Sequence, residues 1–265
     1  MPHEDFAPGT VWLVGAGPGN PELLTMKAVR LIGAADIVFY DALVGPDVLA
    51  LIPPSAERVG VGKRSGRHSR DQRTIDAMLV AAASKGLRVV RLKGGDPSLF
   101  GRSAEEIDAL ISAGHSVCIC PGITAASAAA ASAGVSLSLR GVAPGVRFIT
   151  AHSRDGALLG LDWHALAAER STLAFYMGRS AAPEIAQQLI AAGLPAGTPV
   201  IAACNVSRAD EQQLATRLDL LGLAVRSLAA DAPTLILVGE AVRGIRPTSR
   251  GRNRIAAARL CRERQ

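Results

Sequence analysis

Lys93-Gly94-Gly95-Asp96-Pro97 follows an apolar run, Leu87 to Leu92, and its residue types suit recognition of a ligand by the main chain. Two consecutive glycines let a ligand approach the backbone without meeting a Cβ, and Asp96 adds an acceptor for a hydroxyl or ammonium group. Arg102 and Glu105 come next, three apart at the start of a helical pattern, so they share a face. As an ordinary intrahelical pair they would contribute only about 0.2–0.5 kcal/mol. Directly after a loop of exposed main chain, the same pair is also placed to meet a substrate.

Three other segments invite chemistry. Gly62 to Arg73 concentrates five Lys/Arg, Lys63 among them, around Asp71, and reads either as a solvated loop or as a lid over a polyanion. Gly15-Ala16-Gly17-Pro18-Gly19 follows the short apolar run Val11 to Val14, but its third glycine comes one residue earlier than a dinucleotide-binding turn requires. Taken alone it is a tight turn as readily as a ligand loop. The pair Cys118 and Cys120 lies in an apolar strand-like run, where we expect the two thiols on opposite faces, as small buried hydrophobes and not a metal clamp.

The elements that must position these residues alternate in type. Strands are expected at Val11–Val14, Ile37–Phe39, Leu87–Leu92 and Ser116–Ile119. Helices are expected after Asn20 and Pro21 (stripe Leu24, Ala28, Leu31, Ile32), over 72–84 and over Ser103–Ala113. This spacing predicts an α/β domain with a mainly parallel sheet and functional loops at the carboxyl ends of its strands. After Gly134 the pattern resets, with strands expected at Val146–Thr150, Ser171–Met177, Thr198–Ala203 and Thr234–Val238 and a helix over Ala182–Ala192. The organisation read here is a flexible start (1–10), an N-terminal α/β domain (11–130), a C-terminal α/β domain of mixed sheet character (131–243) and a basic tail (244–265), the boundary falling near 126–140.

Composition agrees with a globular chain: 265 residues with 49% hydrophobic, 20% charged and 3% aromatic residues. The net charge of +6 is carried by the tail, where Gly244 to Gln265 holds seven arginines and one glutamate. No aromatic residue interleaves those arginines, so no specific nucleic-acid partner is expected. The sequence shows neither an apolar signal segment nor a membrane-length apolar stretch, and a cytoplasmic protein is expected.

Taken together, several segments resemble the tetrapyrrole methylase family, most closely its uroporphyrinogen-III C-methyltransferase branch. They are Leu13 to Thr25, Tyr40 to Val44, Gly62 to Arg64, Val90 to Pro97, Phe100 to Arg102, Pro121 to Thr124 and Tyr176 to Gly178, in family order over about residues 11–243. The resemblance implies a two-domain α/β fold with the active cleft between the domains, a homodimer without a metal, and S-adenosyl-L-methionine as methyl donor, leaving S-adenosyl-L-homocysteine. It implies methylation of uroporphyrinogen III at C2 and C7 to give precorrin-2. It also implies cofactor contacts from Pro18, Gly94, Gly95, Asp96, Leu99, Thr124, Ala125 and Met177. Asp41, Arg102 and Glu105 would be catalytic, and Lys63, Arg140 and Met177 would bind the tetrapyrrole. Guanidinium forks suit a macrocycle rich in carboxylates.

This chain departs from the family pattern at several points. Ser103-Ala104 stands where paired glycines are common, so the helix after Arg102 should be stiffer. Cys204-Asn205-Val206 replaces a Glu-Asn-Gly turn, and Val206 would not take a positive φ cheaply. The dehydrogenase–chelatase region of fused sirohaem synthases is not represented, so the product is expected to stop at precorrin-2. Two other readings stay open: a later corrin-pathway methyltransferase, and a non-catalytic S-adenosylmethionine-binding regulator.

Overall fold

Apolar, β-branched runs that carry no side chain needing water become strands covered on both faces. The first, β1 (Val11–Gly15), is buried at every position. The computed structural model describes residues 6–62, 71–151 and 160–244. From β1 the chain enters a 3-10 turn, Pro21–Leu23, and then α1 (Met26–Ala34). Asn20 caps the 3-10 turn through Glu22 N, and Thr25 caps α1 through Ala28 N, so the expected single helix start is divided between two caps. There follow β2 (Ile37–Tyr40), the short α2 (Pro46–Leu49), β3 (Glu57–Gly60), α3 (Gln72–Ser84), β4 (Val89–Lys93), α4 (Ser103–Ser112) and β5 (Val117–Cys120). The compact unit they form ends at Ala125.

These five strands pair in parallel in the order β3-β2-β4-β1-β5. The returning β4 inserts between β2 and β1. Helix α1 therefore crosses one face, packing Ala28, Leu31 and Ile32 on Trp12, Val14, Val90 and Leu92. On the other face, α3 and α4 place Ile75, Leu79 and Leu110 on Val11, Leu13, Phe39 and Val89. Connections leaving β1 and β4 toward opposite faces open a crevice at the carboxyl ends of these neighbours.

At that crevice the main chain is packed against itself. Gly17 and Gly95 exchange both backbone hydrogen bonds, at 3.1 and 2.8 Å. A Cβ on Gly15 would lie 2.5 Å from Gly122 N and 2.8 Å from Gly95 O. Glycine is required there because three loops touch through backbone atoms that have nowhere to move.

The expectation that Cys118 and Cys120 take opposite faces is corrected. Residues two apart in a strand share a face. Both thiols lie on the α1 side, Cys120 inside the core cluster with Trp12 and Val14 and Cys118 packed against it. The Cys120 thiol sits 3.5 Å from the Thr25 hydroxyl. Among the described residues no group of three or more His, Cys, Asp or Glu side chains is arranged to hold a metal ion, and no helix is long and apolar enough to cross a membrane.

The second unit begins at Ala126. It contains α5 (Ala125–Ala133), β6 (Gly145–Thr150), α6 (Trp163–Ala168), β7 (Ser171–Tyr176), α7 (Ala182–Ala191), β8 (Pro199–Cys204), β9 (Gln212–Arg217), α8 (Leu221–Ser227) and β10 (Thr234–Val238). Its sheet, β6-β7-β10-β8-β9, is mixed: β6 and β7 run parallel, and the remaining pairs are antiparallel. One face buries Leu173, Phe175, Val200, Ala202 and Ile236 beneath Ile185 and Leu189 of α7 and Leu221 and Val225 of α8. Toward α5, the Tyr176 hydroxyl accepts from Ala126 N at 3.2 Å and Gln213 Nε2 donates to Ala129 O at 3.0 Å.

Two predictions follow from this packing. Gly15→Ala is expected to destabilise the protein by about 1–3 kcal/mol, as overpacking against fixed backbone does, read as a lowered thermal midpoint. The second concerns Asp76 on α3, whose carboxyl is raised in pKa by burial. The Gln72 hydrogen bond opposes that shift, and Glu106 and Glu105 add to it. A raised carboxyl contributes fully below its unfolded value and loses that contribution as pH rises through its folded value. Asp76→Asn is therefore expected to raise the thermal midpoint at neutral pH, with the gain vanishing below the ordinary Asp value of about 3.9.

Candidate functional site

The described site residues of the first unit lie at or just beyond the carboxyl ends of β1, β2, β4 and β5. Pro18 sits half-buried in the turn after β1. Asp41, just past β2, spends its two oxygens on main chain: Oδ1 accepts from Leu43 N at 2.8 Å and Oδ2 from Gly94 N at 3.1 Å. Its carboxylate thus ties the β2 loop to the β4 loop. Asp96 does the same between β4 and β5, accepting from Ser98 N at 2.8 Å through Oδ1 and from Gly122 N at 2.9 Å through Oδ2. The sequence suggested Asp96 as an acceptor for a ligand. Here it also holds the loop, and a carboxylate with about four lone-pair sites has capacity for both.

Gly95 takes φ +72°, and a Cβ there would meet nothing within 4 Å. The Cα of Gly95 therefore faces open space at the crevice, while its N–H and C=O are held by Gly17. Leu99 is half-buried in the same loop, and Thr124 and Ala125 follow Gly122 at the end of β5.

Arg102 and Glu105 are joined in a bidentate pair, Nε to Oε1 and Nη2 to Oε2, both at 2.7 Å. Their side chains are 46% and 43% exposed, so the pair faces outward. Hydrogen bonding to Glu105 raises the pKa of the Arg102 guanidinium further above its already high ordinary value. The loop leading to it is strained: Phe100 has φ 54° and Arg102 φ 55°. Left-handed non-glycine residues cost about 1–3 kcal/mol each and persist only where surrounding contacts over-determine them. One such contact is Ser103 Oγ, which donates to Pro97 O at 2.5 Å and closes the loop at the start of α4.

Beneath that loop lies a cluster to which the sequence reading gave no role. Glu106 is completely buried and accepts from Arg91 Nε at 2.9 Å and from Lys93 Nζ at 2.6 Å. Lys93 is 3% exposed and Arg91 5%. Burial lowers the Lys93 pKa and Arg91 lowers it further, while Glu106 and Asp41 oppose the shift. A signal was available: charged residues alternate with apolar ones in Val90-Arg91-Leu92-Lys93, and an acid follows on the next helix.

In the second unit Met177 directly follows β7, half-exposed, with φ 55°. Arg140 is exposed at the tip of a tight hairpin in which Leu139 and Ala143 exchange two 2.8 Å backbone hydrogen bonds and Gly141 takes φ +76°. The turn after β8 avoids the strain expected at Val206. Asn205 (φ 49°) and Ser207 (φ 64°) take the left-handed conformations instead, and Val206 is buried. Asn205 Nδ2 donates to Asp210 at 2.7 Å and Ser207 N to Glu211 at 2.7 Å, bracing the turn. Lys63 and the tail from 245 onward lie outside the described residues.

Comparison with known proteins matches residues 10–221 to the family of Tetrapyrrole (Corrin/Porphyrin) Methylases. The chain is 47% identical to the uroporphyrinogen-III C-methyltransferase of Paracoccus denitrificans, over 88% of this chain and 81% of that one. It also matches sirohaem synthases at 47–49% identity and spans about half of their length (49–51%). Among solved structures, a cobalt precorrin-4 methyltransferase superposes with TM-score 0.80 at 28% identity, covering 92% of this chain and 99% of that one. The Thermus thermophilus uroporphyrin-III C-methyltransferase complexed with S-adenosyl homocysteine gives TM-score 0.75 at 38% identity, covering 88% and 99%. The α/β fold, a parallel sheet followed by a mixed one, is thus shared over most of the chain, which belongs to the tetrapyrrole methylase family.

Proposed function

We propose that this protein transfers methyl groups from S-adenosyl-L-methionine to C2 and C7 of uroporphyrinogen III, giving precorrin-2, and that it works as a homodimer. The observation that carries this reading is the 47% identity to a uroporphyrinogen-III C-methyltransferase over most of both chains. Methylation of a tetrapyrrole is the coarser statement and follows from the family itself.

When bound, S-adenosyl-L-methionine supplies a methyl group already activated on a sulfonium, which leaves alignment, charge and proton handling to the protein. The open space at Gly95 supports a cofactor site in the first unit built from Gly94, Gly95, Asp96 and Leu99 with Pro18, Thr124 and Ala125; Met177 is assigned to the cofactor by the family resemblance alone. By the family resemblance, Arg102, Lys63 and Arg140 are assigned to carboxylates of the macrocycle, and Met177 to the macrocycle as well as the cofactor. Arg102 and Glu105 are exposed, and a surface ion pair is worth only about 0–1 kcal/mol, so Arg102 can exchange Glu105 for a substrate carboxylate at small cost. Glu105 is then placed to stabilise positive charge developing on a pyrrole nitrogen or to accept the proton lost afterward. Asp41 holds the Gly94 amide through its carboxylate and thereby keeps the β4 loop in place.

A second reading, a later corrin-pathway methyltransferase, draws support from the TM-score of 0.80 to the cobalt precorrin-4 enzyme, against a lower identity of 28%. The two are separated by anaerobic incubation of uroporphyrinogen III with labelled methyl donor. The expected product is heavier by two methyl groups; a product halted after one, or turnover only on a cobalt-corrin, would reject the proposed step.

Arg102→Ala and Glu105→Gln are expected to lower kcat/KM at least tenfold, with Glu105→Gln acting chiefly on kcat. For Arg102→Ala the loss reaches about 2–5 kcal/mol where its substrate pair is desolvated. Calorimetric titration should find cofactor affinity in both variants within threefold of the parent. A tenfold loss of that affinity in a folded variant would move these residues to the cofactor side.

A further inference from the structure

We propose that the buried Arg91–Glu106–Lys93 cluster is a positioning device that holds the Arg102–Glu105 pair at a set place relative to the Gly94-Gly95 main chain. The inference rests on the reading above in one respect: it assumes that the outward pair and the glycine loop belong to one reaction site.

The geometry ties the two ends of the loop together from below. Lys93 is the last residue of β4 and Gly94 begins the loop, while Glu106 lies in the first turn of α4, where the loop ends. The carboxylate uses separate oxygens for its two cations, Oε1 for Arg91 and Oε2 for Lys93, so neither translation nor rotation of that turn is free. Glu105 and Glu106 are adjacent on a helix and point about 100° apart. One is anchored inward and the other presented outward, so fixing Glu106 fixes the direction in which Glu105 is presented. The loop wraps over the lysine stem: a Cβ on Gly101 would lie 2.9 Å from Lys93 Cε. Arg91 also donates to Leu92 O at 3.1 Å, binding the cluster to the strand itself.

Stability alone does not account for the arrangement. Three ionic side chains have been taken out of water, and apolar side chains of similar volume commonly serve a folded core as well or better. What apolar contacts lack is direction. A carboxylate bridging two cations defines the rotation of a helix turn, whereas packed methyl groups tolerate small rotations.

The test separates position from stability. The combined variant Arg91→Met, Lys93→Met, Glu106→Leu replaces the cluster by apolar side chains. It is expected to keep its thermal midpoint and to bind S-adenosyl-L-methionine within threefold of the parent. Its kcat should fall at least tenfold while KM changes less than threefold. Glu106→Asp, which keeps the charge but shortens the anchor by one methylene, should lower kcat in the same direction. A folded combined variant with parental kcat would overturn the proposal. Hydrogen exchange of the parent needs neither variants nor tetrapyrrole. The amides of Gly95 and Glu106 should open only with global unfolding, and exchange through an independent local opening would equally overturn it. If the parent leaves uroporphyrinogen III unmethylated, the functional reading fails by itself, and the exchange result still decides the positioning role.

Discussion

Backbone touching backbone at the carboxyl ends of β1, β4 and β5 is the constraint on which the first unit depends. Gly17 pairs with Gly95, and Gly15 lies so close to Gly122 and Gly95 that a single methyl group has no room. The close approach requires glycine at positions 15 and 122, and it forms only because β4 returns to lie beside β1. The strand order therefore creates the crevice, and the glycines allow its walls to close up. Asp41 and Asp96 then secure the loops from either side by accepting main-chain N–H groups of neighbouring loops.

Loops beyond strand ends in both units hold backbone conformations that a free chain would abandon. Phe100 and Arg102 are left-handed in the first unit, and Met177, Asn205 and Ser207 in the second, all of them following the carboxyl end of a strand. Strained non-glycine residues persist where the surroundings leave no alternative, and they concentrate where side chains must be presented in one direction. Around Arg102 those surroundings include the Ser103–Pro97 bond above and the Glu106 ion cluster below. In the turn after β8 they include the Asn205–Asp210 and Ser207–Glu211 bonds, which let a chain carrying Val206 make a turn that glycine would make more cheaply.

The two units achieve rigidity by different means. In the parallel sheet, helices cover both faces and the inner strands β1, β2 and β4 are otherwise apolar, so the charges on the buried Arg91 and Lys93 stand out and demand a partner. In the mixed sheet no such buried ion cluster is needed at β7, β8 and β10, whose inner positions are Leu, Phe, Val, Ala and Ile. Polar links there include single hydrogen bonds, such as the Tyr176 hydroxyl to Ala126 and Gln213 to Ala129, which tie α5 to the sheet.

Local pattern by itself determined the strands and helices with strong periodicity. Val11–Val14, the 72–84 helix and the Ala182 helix are legible because side-chain alternation and helical stripes are properties of a few consecutive residues. The Gly94-Gly95 loop and the Arg102–Glu105 pair were legible for the same reason. The more exposed strands β3 and β9, where the apolar signal is diluted, were not. Nor could the sequence show that Asn20 and Thr25 cap separate turns, because that depends on where the chain is bent by its neighbours. The insertion of β4 between β2 and β1, and the meeting of Arg91 and Lys93 with Glu106, were decided only by tertiary structure. Periodicity records which face of an element avoids water; which element covers that face is settled by contacts among distant residues, and the ion cluster exists only once that choice is made.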